Sequence, residues 1–131
     1  MSTQCGIAIK TENGYDTIYV HSDGYPEYMW PMLTENYNSE ELAAKLVSMG
    51  DASYISDNLE PHEPNTHSFN NPDFDVCCFY HRDRGEDWHD VQPAHYEHHE
   101  KRRLVNEWYY LYIFDTGIGC WTFYKNGVKV Y

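Results

Sequence analysis

Two runs near the end of the chain, EWYYLYIFD (Glu107 to Asp115) and IGCWTFYKN (Ile118 to Asn126), narrow the choice of fold more than any other stretch. Aromatic and β-branched residues fit the half-buried surface of a pleated sheet, so both runs read as strands. Asp115-Thr116-Gly117 supplies the turn between them, and Asn126-Gly127 supplies another before VKVY. Aromatic residues make up 17% of the chain, and 13 of them are tyrosines. Tyrosine packs like a hydrophobe but carries a hydroxyl that wants a partner, so such a core has a polar rim.

The opposite end carries a second β signal. GIAIK and YDTIYVH alternate apolar and polar residues around Thr11-Glu12-Asn13-Gly14, a hairpin pattern. The second of these strands ends at His21, and Asp23-Gly24 turns the chain. A helix follows, with two starts open. Pro26 suits a first helical position, whereas Pro31 would remove a hydrogen bond from a helix already under way, so either the helix begins near Trp30–Pro31 or an earlier turn is kinked there. For the next helix, Asn38 with Glu41 fits a capping box, Gly50 a stop, and Leu42, Leu46, Val47 and Met49 an apolar stripe. Asp51 to Pro72, with Pro61, Pro64 and Pro72, reads as a long irregular loop of the kind that often carries function. Phe74 to His81 returns to strand, and His95 to Leu104 reads as a short helix. The order predicts one α+β domain over residues 1–131. Its antiparallel sheet has about five strands, near 5–10, 15–21, 75–81, 107–114 and 118–125, with two or three helices on one face, including helices near 28–37 and 39–49.

Charge limits function. The formal net charge is −12, and residues 11–100 hold 19 of the 21 Asp and Glu residues against only Lys45, Arg82 and Arg84, a balance of −16. Residues 101–131 come to +3. A chain so acidic over two-thirds of its length repels phosphates, so direct nucleic-acid binding is not expected. Such a surface can instead imitate nucleic acid toward a basic partner, or simply be a solvated face. Of the four cysteines, Cys5, Cys77, Cys78 and Cys120, none shows zinc-site spacing, and the adjacent pair would point to opposite faces of a strand. MSTQCGIAIK has no signal-type apolar region and no run reaches membrane-span length. Free thiols in a reducing cytosol are the expectation.

Three clusters carry potential chemistry. Four histidines lie between His89 and His99, and His95 and His99 would share one helix face, but no third ligand motif follows, so no metal or other cofactor is expected. The segment HRDRGEDWHD contains His81, Arg82, Arg84, Glu86, Asp87 and Trp88. Its guanidinium forks can hold an anionic ligand or pair within the loop. HSDGYP offers His21, Asp23 and Tyr25. If the strands before these two segments are neighbours, His21, Asp23, His81, Arg82 and Arg84 meet at one rim, with Tyr25 and Trp88 as stacking walls. A histidine base oriented by Asp23 would suit a hydrolase, but no nucleophile elbow, P-loop or GxGxxG accompanies it, so no catalytic residue is assigned.

VHSDGYPEYMWPML, LVSMGD, THSF and YHRDRGEDW resemble a group of small bacteriophage and prophage proteins that share a His-Trp-Asp-Gly-Tyr motif and a later Arg-Asp-Arg-Gly-Glu-Asp motif. The likeness covers about residues 5–90 and departs at Ser22, where the pattern has tryptophan. It implies a viral accessory protein in the host cytoplasm. Joined to the acidic region, it points to an inhibitor of a host defence system, of anti-CRISPR or anti-restriction type. Its nucleic-acid-like surface, including Glu40, Glu41 and Asp51, would occupy a basic groove on a host protein. The alternatives are a pocket near HSDGYP and HRDRGED that sequesters a nucleotide signal, and a small hydrolase. No membrane partner is expected.

Overall fold

The computed structural model describes residues 2–61, 63 and 67–131. Pro64 of the long loop and Thr66 of THSF lie outside the described residues. Among the described residues, eight strands form one sheet: β1 (Cys5–Thr11), β2 (Gly14–Val20), β3 (Ala52–Tyr54), β4 (Cys78–Phe79), β5 (Ala94–Tyr96), β6 (Tyr110–Asp115), β7 (Cys120–Lys125) and β8 (Val128–Lys129). The helices are α1 (Pro26–Asn36), α2 (Glu40–Ser48), α3 (Trp88–Val91) and α4 (Lys101–Glu107). The class is α+β.

The two hairpins read from the sequence, β1–β2 and β6–β7, are present. They join through a parallel β1–β6 pairing at the centre of the order β4-β3-β2-β1-β6-β7-β8. The sheet is therefore mixed, not antiparallel. Cys5 to Ile9 of β1 and Leu111 to Phe114 of β6 are buried at every consecutive position rather than alternately, as strands in a central place covered on both faces are. The outer edge of β2 is shared, with β5 antiparallel along Tyr15–Thr17 and β3 parallel at Val20.

Alternation along the strands builds two cores. Ile7, Ile9, Ile18, Tyr112, Phe114, Trp121 and Phe123 face α1 and α2, meeting Met29, Leu33, Ala43 and Leu46. Ala8, Tyr15, Leu111, Ile113 and Tyr124 face the other way and are covered by Leu104 and Val105 of α4. Helices thus lie on both faces, which corrects the one-face expectation. Gly6 is part of the reason this second layer packs closely, because a Cβ there would stand 2.7 Å from the Trp108 indole.

Local chemistry explains where elements start and stop. Pro26 does occupy the start of α1, and Pro31 lies inside it. The N-cap of α2 is Ser39, whose hydroxyl accepts from the Leu42 N–H at 3.1 Å, one residue after the Asn38 expected. β4 is only two residues long, because the Asp83 carboxylate takes the Phe79 N–H at 2.8 Å and the chain turns. Part of the expected loop, Ala52–Tyr54, is strand. The helix expected over His95–Leu104 is strand, then a 3-10 turn at His98–Glu100, then α4.

Candidate functional site

The two strand ends are not neighbours in the sheet, because β3 lies between them. Of the residues expected at one rim, only His21 and Arg84 are linked from one segment to the other, through Tyr19 and Tyr80. The Ser22 N–H donates to the Ser53 carbonyl at 3.0 Å, and Arg84 donates to the Ser53 hydroxyl at 3.3 Å. His21 donates its backbone N–H to Ala52, and its Nδ1 pairs with the Tyr19 hydroxyl at 2.6 Å. The Tyr19 ring stacks on Tyr80 at 6.3 Å, and the Arg84 guanidinium lies over both Tyr80 and Phe69, at 4.5 and 4.3 Å. Glu86 pairs with Arg84 at 3.1 Å. A guanidinium held between two rings and a carboxylate is an ordered part of the wall.

The remaining candidates go elsewhere. Asp23 is exposed and adopts a left-handed φ of 60°. The turn is tied by the Gly24 N–H to Thr3, and among the described residues no N–H donates to the Asp23 carboxylate. Tyr25 packs beside Tyr28, whereas Trp88 packs against His81 and Gly50, so they are not opposing walls. The His81 ring bonds the Glu86 carbonyl and Asp87 caps α3 through the His89 N–H. Arg82 turns inward: it donates to the Leu59 and Cys77 carbonyls at 2.8 and 3.0 Å and forks both oxygens of Asp83. Glu41 pairs with Lys45 on the exposed face of α2. Asp51 is half-buried at the far end of that helix from Glu40 and Glu41. Its carboxylate accepts the Tyr19 N–H at 2.9 Å, so it belongs to the scaffold and not to an acidic surface.

Sequence reasoning missed the densest buried cluster. His67, Cys78 and Asp83 bring one ligand-type atom each to within 4.8 Å of one another. The arrangement is a structural clasp. The His67 Nδ1 accepts the Asp73 N–H at 2.9 Å, which places the ring proton on Nε2, and Nε2 donates to the Cys77 carbonyl at 3.0 Å. Neither nitrogen has a lone pair free for a metal, and Arg82 already neutralises Asp83. Burial pushes the Cys78 thiol up, away from thiolate. No spacing rule could reveal this clasp, because His67 enters from the loop and is placed by backbone groups. The expected His95/His99 pair fails for a different reason: His95 is in β5, bound to Asp16 at 2.8 Å, and that carboxylate raises the imidazole pKa. All four cysteines are free thiols.

Two open clefts are lined by carboxylates. One, of about 520 Å³ along α1, is lined by Glu27, Glu35 and Asp57 with Tyr28 and Met32. The other, of about 500 Å³ at the β1–β2 turn, is lined by Glu12, Asp16 and Glu40. Neither is lined by a lysine or arginine. Carboxylates gathered over a low-dielectric wall focus their field into the cleft and favour cationic groups there. Among the described residues, no helix is long and apolar enough to cross a membrane. No protein-family model, curated protein or solved structure matches the chain.

Proposed function

We propose that this protein acts by binding a basic protein surface, as an inhibitor that occupies the nucleic-acid groove of a host defence nuclease or CRISPR complex. The observation that carries the reading is the pair of clefts, each lined by three carboxylates and no lysine or arginine. Arginine and lysine side chains that normally grip phosphates would enter them as they enter nucleic-acid grooves. The motif likeness to bacteriophage proteins joins this surface to a host target in the cytoplasm. Nucleotide capture at the HSDGYP–HRDRGED rim is less favoured, because the donors of Arg82 and both neighbours of Arg84 are engaged within the chain.

The test expresses the chain in cells carrying restriction or CRISPR systems and scores phage plating, with affinity to the captured target measured across salt. The clefts direct the charge reversal to Glu12, Glu27, Glu35 and Glu40, all exposed. Protection should vanish in the fourfold Glu→Lys variant while cooperative melting persists, and wild-type affinity should fall steeply with salt. Protection that survives the reversal, or salt-insensitive binding, would sink the proposal.

A further inference from the structure

The α4 side of the sheet gathers lysines. Lys10 of β1, Lys101 at the start of α4 and Lys129 of β8 converge on a cavity of about 50 Å³. These are three of the chain's five lysines. The one carboxylate in the lining, Asp115, pairs with Lys10 at 3.7 Å, so the cavity keeps an excess of two positive charges. Strand alternation explains the gathering: Lys10, Tyr15, Asp115 and Tyr124 all project to the α4 side.

The second observation is a hydroxyl. Tyr15 is 2% exposed and lines this cavity. The other fully buried tyrosines spend theirs on carbonyls, Tyr37 on Ser56 at 2.6 Å and Tyr112 on Gly24 at 2.8 Å. The Tyr15 hydroxyl lies close enough to Lys101, Tyr124 and Asp115 of the lining to interact with them, so it can donate to a group held there. One water needs about 10–15 Å³ of such space, so the cavity takes a group of four or five heavy atoms.

We propose that this cavity binds a phosphate-sized oxyanion, with Lys101 and Lys129 supplying charge and the Tyr15 hydroxyl donating to one oxygen. Lys10 is shared with Asp115 and holds the floor. An oxyanion satisfies all these donors at once, whereas an apolar group satisfies none. The ligand is either free inorganic phosphate or the terminal group of a phosphomonoester, since the cavity admits no base or sugar.

Isothermal titration of the full chain at constant ionic strength tests this with inorganic phosphate and, separately, with AMP. Saturable binding at one site per chain is expected, about tenfold weaker in Tyr15→Phe and weaker still in Lys101→Gln, with far-ultraviolet circular dichroism unchanged. Phosphate binding at least as tightly as AMP would identify the free ion. Tighter AMP binding would identify a carried phosphoryl group. Either result supports the site, provided that the substitutions weaken it. No saturable binding to about 10 mM, or binding untouched by both substitutions, overturns it. The result is independent of the acidic clefts, whose reversal variant should bind phosphate as the wild type does.

Discussion

Asp51 sits where the outer edge of β2 changes partners. β5 covers Tyr15–Thr17 and β3 joins at Val20, so the Tyr19 N–H falls in the gap and a carboxylate takes the place of a strand. Burial pushes this carboxyl up to about 6 from its ordinary 3.8; the Tyr19 N–H pulls it down and nearby Glu86 pushes it further up. The charged form is therefore the one that folding disfavours. Its contribution to stability is fully present below pH 3.8 and is lost as pH rises through about 6. Asp51→Asn keeps an acceptor oxygen and removes the charge. Thermal melting should show variant and wild type together near pH 4. Near pH 7.5 the variant should be the more stable by about 1 kcal/mol, a value discounted for partial exposure. A variant that melts lower at pH 7.5 would mean that the carboxylate charge itself holds the gap.

Among the elements, α1 carries its own handicap. Pro31 is the sixth of its 11 residues, so the Glu27 carbonyl loses an N–H and the ring crowds the preceding turn. Farther along, the Thr34 hydroxyl and the Asn36 amide bond back to Trp30 and Met32. Pro31→Ala should raise the melting temperature, with a gain of about 1–3 kcal/mol in denaturant titrations. No change would show that the ring's packing offsets the backbone cost. The elements legible in the sequence are those whose own pattern decides them: the two hairpins and α2. β3, β5 and β8 have two or three residues each and exist because an open sheet edge recruits them, which no local window records. His95 illustrates this, since a helical spacing gave way to pairing with Asp16 across β2. The candidate rim was legible as two strand ends, but not its centre. Ser53 links the ends from a stretch read as loop, and Arg82 turned inward because the Leu59 and Cys77 carbonyls awaited it.

At the scale of the molecule, the sheet sets two carboxylate-lined clefts apart from a lysine-lined cavity. Residues of α1 and α2 line the acidic clefts, and the α4 side gathers lysines against them. On the α4 side Arg103 also pairs with Glu100 and Glu107, at 2.7 and 3.4 Å, one cation shared by two carboxylates. The net charge of −12 favours approach to cationic over anionic surfaces by the molecule as a whole. The parallel pairing of β1 with β6 that joins the two halves also governs time. Residues 6–10 must wait for residues 111–115, so the central ladder forms across nearly the whole length of the chain. A nascent chain cannot close its core until the last strands have left the ribosome, and loop closure of that span delays refolding as well. Stopped-flow refolding followed by tryptophan fluorescence should show Trp108 and Trp121 buried over roughly milliseconds to seconds; complete burial within microseconds would contradict a core that closes last. Such a delay sets how soon after synthesis the first folded copies exist.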